Sequence, residues 1–431
     1  MTEQTSQDTA PFGLLGRKLG HSWSPQIHAR LGSVPYELHE LEPEELAGFV
    51  RGGSWRGLNV TIPYKREAAQ LADEVSERVL RLGVANTLVH RPDGTIYADN
   101  SDVLGFAWML ERFCERHLGG SAPEALGARK CLVLGSGGAS QAIRAALEDA
   151  GARVVTISRT GGETYETLAE RHADAALMVN TTPVGMYPNT AAAPVDLRRF
   201  PRCQGVLDLI YNPARTALMQ QAEALKIPNM GGLFMLAEQA RCAASVFTGK
   251  AVPAIKAEEA WKTLGSRKEN RILIGMPGCG KSTVGKALAD LLDRPFVDCD
   301  REMEKVIGMS VADYITRYGE EAFRAEETAM LTQLGKTSGL VIATGGGCVT
   351  RPENYPRLHQ NGTMIFLERE LSKLPKKGRP LSLRGSLQDM YTIRLPMYRR
   401  FADVTVPNDG APEKVAKAVE EAYERISDQR A

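Results

Sequence analysis

In the stretch GMPGCGKST, Gly275, Gly278 and Gly280 bracket Cys279 and lead into Lys281, Ser282 and Thr283. Gly275, Gly280, Lys281 and Ser282 fill every slot of G-x-x-x-x-G-K-[ST]. In that pattern bare backbone N–H groups cradle phosphate oxygens, the lysine neutralises their charge and the hydroxyl ligates Mg²⁺. The loop therefore calls for phosphoryl transfer and is silent on the acceptor. FVDCD follows, with Asp298 and Asp300 two residues apart and so expected on one side of a strand. One carboxylate suits the metal's water shell and the other an acceptor hydroxyl, although strand-end turns carry the same residues. GEEAFRAEE supplies Arg324, a candidate anion ligand or a plain surface arginine. VIATGGGCV runs an apolar strand into Gly345, Gly346 and Gly347, where backbone can approach a ligand closely.

A second glycine-rich loop, Gly135-Ser136-Gly137-Gly138-Ala139-Ser140, fits G-x-G-x-x-G loosely, with Ser140 at the third glycine. It stands between an apolar run and a helical pattern, a setting that suits a pyrophosphate. The next strand exits into Ser158, Arg159 and Thr160 instead of the acid an NAD ribose wants, which favours NADP; Glu163 then stands where a second basic residue is often found. Upstream lie GRKLGHSWSPQIH, LNVTIPYK, GVANTL and ADNSDVLGF, polar clusters bounded by apolar residues. Each alone reads as a turn or a helix cap. Beside a dinucleotide loop they acquire a chemistry: hydride transfer to a ketone leaves an alkoxide, which a lysine held by an aspartate can stabilise and protonate. Lys65 and Asp102 are the candidates.

These groups need elements to hold them. KCLVL and RILI read as buried strands before the two loops, each followed by an amphipathic helix, so the chain is α/β. At 431 residues it is long enough for two or three domains. AIKAEEAWKTL reads as a closing helix and Gly265 to Asn270 as a polar linker, spanning about 13 Å if coil. A net charge of +1 offers no field for nucleic acid or anionic lipid, so small-molecule partners are favoured. Seven scattered cysteines suit a reducing cytoplasm, and neither the polar start nor any apolar run suggests export or membrane insertion. Cys279, Cys299 and Cys348 flank the phosphate-loop chemistry, as small buried filler or as thiols whose modification would strike that half first.

Residues 270–431 resemble shikimate kinase: beside the phosphate loop stand D-x-D, F-R-x-x-E at Phe323 to Glu327, T-G-G-G at Thr344 to Gly347, R-P-L at Arg379 to Leu381, and RLPMYRR. The resemblance implies that Asp300 holds and activates the acceptor hydroxyl and Asp298 supports Mg²⁺. It has Arg324 and Arg394 clamp a carboxylate near Gly346 and Gly347, with Arg379 on a lid over the phosphates. Lys376 and Lys377 precede Arg379 where arginine is common, and the lid is compact.

Residues 12–264 are similar to shikimate dehydrogenase, on H-S-x-S-P at His21 to Pro25, N-V-T-x-P-x-K at Asn59 to Lys65, A-N-T, D-N-S-D and GGLFMLAEQA. That implies catalytic roles for Lys65 and Asp102. Ser22, Ser24, Thr61, Asn86, Tyr211 and Gln239 would hold substrate, and Gly232 would lie beside the nicotinamide. Serine at both Ser22 and Ser24 favours shikimate over quinate. The expected layout is a substrate lobe at 11–106 with returning helices at 238–264, a Rossmann-type NADP lobe at 107–237, a linker at 265–270, and a P-loop kinase domain with a parallel sheet at 271–431. Two active sites in series, using NADP(H), ATP and Mg²⁺, are the leading expectation; the alternative makes one half a degenerate binding or regulatory module.

Overall fold

The computed structural model describes residues 10–20, 22–160, 163–374 and 387–430. His21, Lys376, Lys377 and Arg379 lie outside the described residues. The chain divides into two compact units, Met1–Tyr211 with Leu218–Leu264, and Asn212–Ala217 with Gly265–Ala431. No helix among the described residues is long and apolar enough to cross a membrane.

In the first unit, β1 (Phe12–Gly16), β2 (Tyr36–Glu40), β3 (Gly57–Val60), β4 (Glu74–Val75), β5 (Thr87–His90) and β6 (Ile96–Asp99) form a mixed sheet ordered β2-β1-β3-β5-β6-β4. Antiparallel pairing of β3 with β5 sets Asn59 opposite Thr87, which puts two polar motifs side by side. The second sheet holds β7 (Lys130–Leu134), β8 (Arg153–Ile157), β9 (Leu177–Asn180), β10 (Gly205–Asp208) and β11 (Asn229–Gly231), all parallel in the order β11-β10-β9-β7-β8. Parallel strands are covered on both faces, so β7 reads as an unbroken apolar run after Lys130. The order reverses direction beside β7, the point at which sheets of this kind generally take ligands at their strands' carboxyl ends.

Helices complete the unit: α1 (Ser24–Leu31), α2 (Lys65–Leu71), α3 (Asp102–His117), α4 (Gly138–Asp149), α5 (Leu168–His172) and α6 (Leu233–Thr248). Helix α3 buries Phe106, Met109, Leu110 and Phe113 on one face, at helical spacing.

Helix α7 (Ala254–Lys268) corrects the expected linker: the helix continues to Lys268, and strand β12 (Asn270–Ile274) begins two residues later. Its last carbonyls find charged donors, which is why no coil is needed. Arg294 donates to Ser266 O and Glu269 O at 2.8 Å each, and the buried Arg271 donates to Glu269 O at 3.0 Å.

In the second unit β12, β13 (Phe296–Asp298), β14 (Val341–Ala343), β15 (Gly362–Glu368) and β16 (Val404–Pro407) form a parallel sheet ordered β13-β14-β12-β15-β16. Helices α8 (Lys281–Leu292), α9 (Cys299–Ile307), α10 (Glu320–Lys336) and α11 (Leu387–Phe401) supply the functional groups. Again the loop that follows the strand at the order reversal, β12, is the glycine-rich one. All seven cysteines are free and buried, which favours the filler role. Burial pushes the thiol of Cys348 up to about 12.

Candidate active sites

The first site grows from four polar motifs on separate elements. Lys65, at the start of α2, places Nζ 2.5 Å from Asp102 Oδ2 at the start of α3; both side chains are about nine-tenths buried. Asp102 is held from behind. Asn86 Nδ2 donates to its Oδ1 at 2.9 Å, and Asn100 Oδ1 accepts from its backbone N–H at 3.1 Å. Gln239, from α6, accepts from Ser101 Oγ at 3.2 Å. Asp102 is thus held in place on both carboxylate oxygens, with the Lys65 ammonium on one of them. Asp99 of the same D-N-S-D run is structural: Ser76, Arg78 and its own loop satisfy it.

Ser22 donates to Ser24 Oγ at 3.2 Å, and Tyr211 packs on Trp23 with ring centroids 5.0 Å apart. Thr61 follows β3 and donates its backbone N–H to Leu15 O at 2.9 Å. Asn59, which the motif contained but the residue-by-residue reading left out, is buried and accepts from Tyr36 Oη at 2.8 Å. Its Nδ2 has no acceptor among the described residues. An orphaned amide donor beside these hydroxyls suits an oxygen-rich ligand.

The dinucleotide loop follows β7. Gly135 has φ of +112°, which disfavours any side chain, and donates to Ile157 O at 2.8 Å, tying the loop to the end of β8. Gly137 faces open space, while a Cβ on Gly138 would lie 3.8 Å from Lys65 Cδ. The start of α4 and Lys65 are therefore side by side. Ser140 replaces glycine without loss: it is buried and its hydroxyl returns to Gly137 O at 2.5 Å. Gly232 leaves no room for a side chain, since a Cβ would come 2.0 Å from Leu209 O. Ser136 lies in the loop and Ala139 in the first turn of α4, with Ser158, Arg159 and Thr160 at the mouth of β8. Backbone glycines, a helix N-terminus and a basic strand end fit a phosphorylated dinucleotide.

In the second site Gly275, Gly278 and Gly280 have φ of +147°, +80° and +100°, backbone that only glycine adopts without strain. Lys281 is buried and donates to Gly275 O at 2.9 Å and Met276 O at 3.0 Å, folding its ammonium over the cradle. Ser282 and Thr283 are exposed on the first turn of α8, and buried Cys279 packs under the loop. Two groups here escaped the sequence reading. Asn408 donates to Cys279 O at 2.5 Å, and Arg369 Nη1 lies 3.8 Å from the position of a Cβ on Gly280. No local pattern announces either.

Asp298 ends β13, and its carboxylate caps α9 by accepting from Asp300 N at 3.2 Å. Asp300 therefore stands in the first turn of a helix, which corrects the expectation of two carboxylates on one side of a strand. The reason is local: an aspartate at an N-cap halts the strand by satisfying the next turn's N–H. Three glycines then bring the acceptor groups together. A Cβ on Gly345 would lie 2.6 Å from Glu327 Oε1 and 2.9 Å from Asp300 Oδ1, and one on Gly347 only 2.0 Å from Arg324 Nη2. Gly346 approaches Pro277 of the phosphate loop and accepts from Arg394 Nη1 at 3.2 Å. Arg324 is nearly enclosed and paired to Glu327 at 2.6 Å. Burial raises the Glu327 carboxyl and Asp300 adds to that, while the Arg324 guanidinium pulls it down. Two guanidinium groups, a carboxylate and a phosphate cradle thus surround one glycine turn, an arrangement able to hold an anionic alcohol beside a phosphoryl donor.

A family model described as "Shikimate kinase" matches residues 277–424, and one described as "Shikimate dehydrogenase substrate binding domain" matches residues 14–88. A "Shikimate dehydrogenase (NADP(+))" of Clostridium perfringens is 33% identical over 278 residues, 59% of this chain and 98% of that protein. A chorismate mutase/shikimate 5-dehydrogenase fusion protein of Clostridium acetobutylicum superposes with a TM-score of 0.54 at 31% identity, covering 60% of this chain and 98% of that one. A quinate dehydrogenase from Corynebacterium glutamicum in complex with NAD gives 0.51 at 25% identity, covering 59% and 97%. The chain belongs to the shikimate dehydrogenase family and carries a shikimate kinase domain after it, two enzymes on one polypeptide.

Proposed function

We propose that the first unit interconverts 3-dehydroshikimate and shikimate with NADP(H), and that the second phosphorylates shikimate at its 3-hydroxyl with MgATP. The observation that carries the reading is that each cleft pairs a nucleotide loop with groups fit for one hydroxy acid. These are Lys65 and Asp102 against Gly138 in the first, and Arg324, Arg394 and Asp300 around Gly345 to Gly347 in the second.

In the first site the loop from Gly135 to Ser140 would hold the dinucleotide, whose nicotinamide would supply or accept the hydride. Lys65 Nζ holds the proton that the substrate oxygen gains on reduction, and Asp102 orients that ammonium. Asn86, Gln239 and Thr61 orient ring hydroxyls; Ser22, Ser24 and Tyr211 receive the carboxylate end; Gly232, packed on the Leu209 backbone, would stand beside the cofactor ring. In the second site ATP and Mg²⁺ supply the phosphoryl group and neutralise its charge. Asp300 accepts the hydroxyl proton while Arg324 and Arg394 fix the carboxylate; Ser282 and Asp298 serve the metal shell. Small metabolites of the cytoplasm are its partners. No chemical group is lacking in either half, which disfavours a degenerate regulatory module.

Purified chain is incubated with shikimate and NADP⁺, followed at 340 nm, and separately with shikimate and ATP, followed by ADP release. Both should proceed. Turnover of quinate with NAD⁺ in place of the first reaction, or ATP consumption independent of shikimate, would sink the assignment.

A further inference from the structure

Glu163 presents a difficulty for a site that takes a phosphorylated ribose. Its backbone lies directly against the strand end that receives the adenosine: Ser158 donates to Glu163 O at 3.1 Å, and Ser158 bridges to Thr164. A bare carboxylate there would repel a 2′-phosphate and attract the ribose hydroxyls of the unphosphorylated cofactor. The fold removes that conflict from a distance. Helix α5 brings Arg171 Nη1 to 3.0 Å from Glu163 Oε2, and His172 Nε2 to 3.2 Å from the same oxygen. Glu163 is about three-quarters buried and His172 more so, whereas Arg171 is about half exposed.

We propose that Arg171, supported by His172, is a specificity-determining residue of the dinucleotide site. By neutralising Glu163 it leaves Arg159, which makes no ion pair among the described residues, to set the charge at the mouth of β8, and so selects a phosphate ester on the adenosine ribose over a free hydroxyl. The inference rests on the NADP reading of the first unit and adds the residues that enforce it. Arg171 touches no reacting atom; it acts through Glu163.

The test uses the full chain with shikimate, measuring kcat and KM for NADP⁺ and NAD⁺ in parallel. Because the pair is partly exposed, Arg171→Ala should raise the KM for NADP⁺ about threefold, leave kcat unchanged, and leave or lower the KM for NAD⁺. Arg171→Ala/Glu163→Gln should return the KM for NADP⁺ close to the parent value. Glu163→Gln alone, which keeps the helix intact, should strengthen NADP⁺ binding, and more so at low salt. An equal change for both cofactors in Arg171→Ala, or no recovery in the double variant, would mean that Arg171 merely braces the helix and would overturn the proposal. Parent chain that fails to use NADP⁺ at all would instead indict the underlying functional reading.

Discussion

The two clefts solve the problem of poised charge differently. In the dehydrogenase cleft the working ammonium and carboxylate neutralise each other, and Asn86, Asn100, Ser101 and Gln239 complete a closed hydrogen-bond net. In the kinase cleft the cations rest on protein acceptors: Lys281 on the carbonyls of its own loop, Arg394 on Gly346 O, and Arg324 on Glu327. The carbonyl or hydroxyl that reacts beside Lys65 is itself neutral, so the ammonium and carboxylate that serve it can be paired in advance. A site for a polyanion must hold cations that can trade a carbonyl for a phosphate oxygen, and Lys281 and Arg394 rest on such carbonyls, whereas Arg324 stays fixed on the Glu327 carboxylate.

The sharpest break of that comparison is Lys65→Ala. It should cut shikimate oxidation about 10³-fold, by loss of a general acid–base group, and leave phosphorylation untouched; both rates are read on one preparation. Lys281→Met should do the reverse, lowering phosphoryl transfer about 10²-fold with unchanged dehydrogenase turnover. If either variant silenced both reactions while still folded, the two sites would not be independent. Next in size, Arg324→Ala should raise the KM for shikimate in the kinase reaction about 30-fold, the worth of a charge-assisted contact, with the dehydrogenase KM unaltered.

Acid should distinguish the units thermodynamically. His28 stacks on Tyr36 with centroids 4.2 Å apart, and neither ring nitrogen has a partner among the described residues. Burial pushes its pKa down to about 3. Below the unfolded value near 6.5 the unfolded chain takes up a proton that the native one refuses, so stability falls with falling pH. The first unit should lose about 2 kcal/mol between pH 6.5 and 5, and His28→Phe should flatten that slope. All four tryptophans lie in the first unit, so denaturant titrations followed by tryptophan fluorescence report it selectively. The smallest effect is expected from thiols: with every cysteine buried, a thiol reagent should leave kinase activity unchanged in native chain, and rapid inactivation relieved by ATP would contradict this.

Much was legible from short spacings. A glycine needed for a left-handed turn at Gly275 or Gly135, a lysine after a phosphate loop, or an apolar run buried on both faces depends on neighbours within a few residues, so pattern alone reveals it. What pattern could not provide is distance between motifs. Lys65 and Asp102 are 37 residues apart, and Gln239 is 138 from Ser101; only the pairing of β3 with β5 and the return of α6 join them. The same limit hid Asn408 and Arg369 at the phosphate loop, and Arg171 and His172 on Glu163. It also hid the N-cap that carries Asp300 onto a helix and the helical run that replaced a coil linker. Backbone conformation and loop chemistry are short-range and were set by the sequence itself. Which charges neutralise one another is a matter of ångströms across the fold, and only the packing of distant elements decided it.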